Sequence, residues 1–128
     1  MTKKINPTSI KKVSELLQAI GLEPRLEILL AIGEGEACVC HLESTLGYRQ
    51  AYISQNLMAL REANLLNTRR DGKYIFYRLE NLKILEMVEL AARLAGTDLS
   101  VVETRTKDSR SSCECPNCSS EAVPESAA

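Results

Sequence analysis

RQAYISQNLMALREANLL (Arg49–Leu66), followed by NTRRDGKYIFYRL (Asn67–Leu79), is the stretch that decides how this chain folds. Its first part sets Ile53, Leu57 and Leu60 on one stripe of a helix running from about Arg49 to Ala63. Its second part holds two β-prone runs, Leu65–Arg70 and Lys73–Leu79, on either side of Asp71-Gly72. That dipeptide is a strong hairpin signal, because a tight two-residue turn needs positive φ. Immediately upstream, the residues from about Ala37 to Leu46 suit a short helix, and Gly47 makes a turn. Two short helices joined by a tight glycine turn form a helix-turn-helix. A hairpin directly after it makes the arrangement a winged helix-turn-helix.

Working outward, Ser9 can cap a helix reaching Ile20, with Ile10, Val13, Leu17 and Ile20 at helical spacing. Gly21 ends it. Pro24 suits the first turn of a second helix carrying Leu22, Leu26, Leu29 and Leu30, closed by Gly33 and Gly35. A last helix fits Asn81 to Ala95, with Leu85, Val88, Ala92 and Ala95 on one face. The expected fold class is mainly α with a small β-hairpin. Residues 1–98 form the DNA-binding and dimerisation domain, since a chain of 128 residues gains by burying apolar surface against a second copy. Residues 99–128 change composition to Ser, Thr, Glu and Arg and read as a flexible tail.

The net charge of -1 does not announce a nucleic-acid partner, but its distribution does. From Arg49 to Arg78 six basic residues face two acidic ones, Glu62 and Asp71. A clustered basic segment is the footprint of phosphate contact. The helix after Gly47 would enter the major groove with Gln50, Tyr52, Ser54 and Gln55 near base edges. Gln reads adenine bidentately, and Ser contacts a base or a phosphate. Arg69, Arg70 and Lys73 at the hairpin tip would reach a flanking phosphate or the minor groove and make binding salt-dependent. The expected partner is double-stranded operator DNA. No apolar run is long enough to span a bilayer, and the opening residues lack the apolar region of a signal peptide, so a cytoplasmic protein without a membrane partner is expected.

The segments Arg49–Leu66 and Arg69–Lys73, with Tyr77-Arg78-Leu79, resemble the recognition helix and wing of the ArsR/SmtB family of metal-responsive repressors. The resemblance covers about residues 10 to 95. It implies a homodimer joined through the first and last helices, and a metal-free repressor that releases DNA on binding metal.

All five cysteines fall in two groups, Cys38 and Cys40, and Cys113, Cys115 and Cys118. Cys38-Val39-Cys40 is similar to the Cys-Val-Cys sensing motif of that family. The third cysteine that the family's arsenic sensors often carry is replaced here by Glu43. A third ligand therefore has to come from elsewhere, and the tail cysteines are the candidates. Thiolates at these spacings suit arsenite, favoured here, or Cd(II), Pb(II), Zn(II) or Cu(I). On a regular helix residues two apart are separated by about 200°, so Cys38 and Cys40 could share an ion only at a helix end or an unwound turn. His41 suits a surface or capping role better than a ligand. The absence of His from Asn81 to Ala95 argues against the family's last-helix zinc and nickel site.

Two other functions are compatible with these cysteines. One is a redox-sensing repressor in which Cys38 or Cys40 bridges to a tail cysteine. The other is a thiol chaperone or oxidoreductase around Cys115-Pro116-Asn117-Cys118, which lacks a βαβ context. One His and no nucleophile–base arrangement argue against an enzyme.

Overall fold

The computed structural model describes residues 4–99. The elements are α1 (Pro7–Ile20), α2 (Glu23–Ile32), β1 (Ala37–Cys38), α3 (Val39–Leu46), α4 (Gln50–Glu62), β2 (Leu66–Asp71), β3 (Tyr74–Leu79) and α5 (Lys83–Leu94). The strands form one antiparallel sheet in the order β1-β3-β2.

Helix α1 begins two residues before Ser9. The Asn6 side chain accepts the Thr8 N–H at 2.9 Å. Pro7 follows at the first helical position, where its missing N–H costs nothing. The helix-turn-helix forms where expected. Gly47 ends α3 at φ 79°, and its N–H bonds the Glu43 carbonyl at 2.9 Å. In α4, Ile53, Leu57 and Leu60 are fully buried, as their spacing predicts. They meet Ile28 and Leu29 of α2 and Leu42 of α3 in one core cluster.

Two local expectations around the sheet need correction. Ala37 and Cys38 are strand, not helix: Ala37 lies opposite Tyr77 and Cys38 opposite Phe76. This short strand covers the edge of β3, whose backbone groups would otherwise lack ladder partners. The hairpin turn is Gly72-Lys73, one position later than Asp71-Gly72, because Asp71 pairs with Tyr74. Gly72 takes φ 60° and Lys73 does not share the positive φ, as a type II′ turn requires.

The core face of α5 is Ile84, Val88 and Ala92. Leu85 is half-buried and Ala95 exposed. The expected stripe therefore holds at Val88 and Ala92, and only its edges differ: Ile84 joins it and Ala95 falls outside, while Leu90 and Leu94 lie exposed on another side. In α1 only Ile20 is buried, while Ile10, Val13 and Leu17 face outward.

Candidate DNA-reading surface and thiol site

Helix α4 is fixed from two sides. Its apolar stripe sits in the core, and its one buried polar residue, Asn56, is satisfied there. The Asn56 Oδ1 accepts from Arg25 Nε at 3.1 Å, and its Nδ2 donates to the Tyr52 carbonyl at 2.9 Å. The same guanidinium donates to the Ala19 carbonyl at 3.1 Å. One arginine thus links the end of α1 to the inner face of α4. In the turn before α4, the Tyr48 hydroxyl donates to Glu27 Oε1. That carboxylate, chiefly through the hydrogen bond, pushes the Tyr48 phenol up to about 12. The Tyr48 ring also meets Tyr52 at 5.2 Å between centroids.

With the core stripe turned inward, the opposite side of α4 carries Ala51, Gln55 and Met58, all exposed. Gln50 and Tyr52 are exposed at its margins, and Ser54 is half-buried. Tyr52 is therefore partly occupied in packing against Tyr48. Met58, 62% exposed, lies beside Gln55 one helical turn on, and sequence reasoning assigned it no role. An unexpectedly bare thioether on the outer face was the available signal. Arg25, Asn56 and Tyr48 were also missed, because their partners lie far away in the chain.

At the wing, Arg70 and Lys73 are exposed, and Lys73 Nζ lies 5.5 Å from the Tyr74 ring centroid. Arg69 differs. Its Nε donates to Glu36 Oε2 at 3.2 Å, a second nitrogen contacts Oε1, and its guanidinium lies 4.6 Å from the Phe76 ring centroid. Asp71 is 3.9 Å away. The bond to Glu36 raises the Arg69 pKa above its ordinary value.

Cys38 is the N-cap of α3. Its backbone is extended, and its Sγ accepts the His41 N–H at 3.4 Å. The pair Cys38 and Cys40 therefore straddles the helix start, and the 200° separation of a regular helix does not apply. Cys38 is 3% exposed and Cys40 half-buried. Among the described residues no three His, Cys, Asp or Glu side chains gather as a metal-holding group. Two soft thiols suit a thiophilic ion but do not complete a three-thiolate set. Cys113, Cys115 and Cys118 lie outside the described residues. His41 contributes its backbone N–H to the cap, and Glu43 is exposed.

Residues 23–68, from α2 through the first half of the wing, match the model of the bacterial regulatory protein, arsR family. The biofilm growth-associated repressor of Agrobacterium fabrum is 40% identical over 78 residues, 61% of this chain and 67% of that protein.

The chain belongs to the arsR family.

The arsenical resistance operon repressor of Escherichia coli is 44% identical over 66 residues, 51% of this chain and 56% of that one. Reduced HlyU from Vibrio cholerae superposes with a TM-score of 0.62 at 37% identity, covering 68% of this chain and 92% of that one. The arsR family is one of regulatory proteins rather than enzymes, and the winged helix-turn-helix described above is its fold. No helix among the described residues is long and apolar enough to cross a membrane.

Proposed function

We propose that this chain is a homodimeric transcriptional repressor that releases its operator when a thiophilic metal or metalloid, arsenite foremost, binds Cys38 and Cys40 with help from the tail cysteines. The observation that carries the reading is the position of Cys38. It caps the first helix of the helix-turn-helix and belongs to the strand paired with the wing. The arsenical resistance repressor among the relatives supports arsenite. Cd(II), Pb(II) and Zn(II) are the other thiophilic candidates. A bound ion would supply strong bonds to deprotonated sulfur, and Cys38 would hold it by giving up its hydrogen bond to the His41 N–H.

Gln50, Tyr52, Ser54 and Gln55 are the base-reading residues of this proposal, and Arg69, Arg70 and Lys73 act at the wing. The outward apolar faces of α1 and α5 support the homodimer. The third thiolate comes from Cys113, Cys115 or Cys118. The expected location is the cytoplasm.

Operator binding followed by fluorescence anisotropy, with arsenite, Cd(II), Pb(II) or Zn(II), tests this. The wild-type chain is expected to lose affinity by a factor of about 5–150, the usual span of a coupling between sites. Cys38→Ser and Cys40→Ser are expected to lose the response. A full response from both variants would refute the thiolate site, and an unchanged response after truncation before Cys113 would remove the tail from it.

A second reading, redox sensing by the same thiols, draws support from the solved relative described as reduced. There two thiols would join as a disulfide, passing two electrons to a peroxide or polysulfide and releasing two protons. Operator release with those oxidants and not with arsenite would select it.

A further inference from the structure

The sheet that carries the wing has two faces with different partners. Cross-strand neighbours place Ala37, Tyr77 and Thr68 in a row on one face and Cys38, Phe76 and Arg69 in a row on the other. The first face joins the main core through Ala37, Leu66 and Leu79, with Tyr77 packed against it. The second holds a separate small cluster of Cys38 and Phe76, with Cys40 and Tyr74 packed on it. The cover over that cluster is polar. The Arg69 guanidinium lies on the Phe76 ring, and Glu36, on the same side of the β1 segment as Cys38, holds it in place. Strand β1 contributes only two residues to the sheet, so little backbone pairing resists a shift there.

We propose that Glu36 and Arg69 are positioning residues that make the wing sensitive to the state of the Cys38 sulfur. Closed over Phe76, the Glu36–Arg69 pair holds the hairpin in its DNA-competent place while Cys38 packs against that ring. A Cys38 sulfur that turns out to meet a ligand or reagent withdraws one side of the Phe76 cluster. The guanidinium then loses its seat, and the wing moves. This rests on the operator-binding reading given above. It differs from a signal passed along α3 to the recognition helix, because it assigns the transmission to the other side of the sheet.

The test uses the full chain and needs no metal for its first readout. Cys38 is alkylated with iodoacetamide, with and without operator duplex, and its rate is read by peptide mass spectrometry. Alkylation of this buried sulfur proceeds through the turned-out form, so DNA that holds the wing lowers the population of that form and slows the reaction. Wild-type Cys38 is expected to react about tenfold more slowly on the operator, within the usual range of such couplings. Glu36→Gln removes the charge that holds Arg69 without removing a cation, and is expected to reduce this protection below about twofold. Phe76→Leu, which fills the cluster but offers no ring face, is the second variant and is expected to do the same.

Protection of Cys38 undiminished in both variants, or absent in the wild type, would overturn the proposal. The second readout is the loss of operator affinity on adding arsenite or Cd(II). Wild-type protection without any ion response would sink the metal-sensing reading and leave this coupling standing. An ion response that persists at full size in Glu36→Gln would place the transmission in α3.

Discussion

At the scale of single residues, the recognition helix is held by polar contacts that hydrophobic patterning does not reveal. Asn56 is buried with both ends of its amide bonded, one of them to a charged donor. Replacing it by Leu leaves the Arg25 Nε–H without that acceptor in a part-buried place. Asn56→Leu is expected to destabilise the protein by about 1–3 kcal/mol, read from urea unfolding. Tyr48→Phe keeps the ring contact with Tyr52 and removes only the hydroxyl donated to Glu27. Its expected cost is about 1 kcal/mol near neutral pH.

The pH dependence has a definite sign. The Tyr48 pKa is raised in the fold, from 10.0 to about 12, so folding favours the protonated phenol. Its contribution is complete below the unfolded value and is lost as pH rises through the folded one. Urea midpoints measured across that alkaline range should fall further for wild type than for Tyr48→Phe. Neither contact was legible in the sequence. Tyr48 and Glu27 are 21 positions apart, and Asn56 and Arg25 are 31. No local rule joins residues at such separations.

At the scale of elements, the proposed operator complex gives the helix-turn-helix and the wing different tasks. Gln55 points away from the core stripe of α4. Gln55→Ala is expected to cost about 1–3 kcal/mol of operator affinity and to relax the choice of one base pair. Arg70→Ala and Lys73→Ala should weaken binding to all sequences alike and lower the slope of log affinity against log salt by about 1 each. Anisotropy titrations on operator and scrambled duplexes at several salt concentrations separate these outcomes. The connecting turn depends on Gly47 at φ 79°, and an added Cβ there meets nothing within 4 Å. The cost of Gly47→Ala is therefore backbone strain alone, about 1–2 kcal/mol, measurable in the same unfolding assay. Helix α4 was legible because its stripe has only one buried side. The start of α3 was not, because Ala37 and Cys38 become strand only through β3, some 40 residues on.

At the scale of the whole molecule, two helices present apolar residues to the outside of a single chain. Leu17 is 52% exposed and Leu94 82%. The proposed homodimer would cover both faces. Leu17→Asp is expected to shift the protein toward monomer in sedimentation equilibrium and to weaken operator binding with it, since each half-site contact would then stand alone.

The sequence by itself determined the order of the five helices and the hairpin, the inward stripe of α4, the glycine turn between the two helices of the helix-turn-helix and the existence of the wing. These follow from short-range spacing and from φ preferences that each residue carries with it. Tertiary structure alone decided three things. It set the edges of the α5 core stripe, adding Ile84 and leaving Ala95 outside, because that helix is apolar on more than one side. It moved the hairpin turn one residue, because strand register outweighs the preference of a single dipeptide. It also placed the deciding stretch, Arg49–Leu79, in contact with Glu36 and Cys38 through a sheet whose third strand comes from before the helix-turn-helix. Backbone pairing between distant segments, absent from any local pattern, brings the thiol beside the wing.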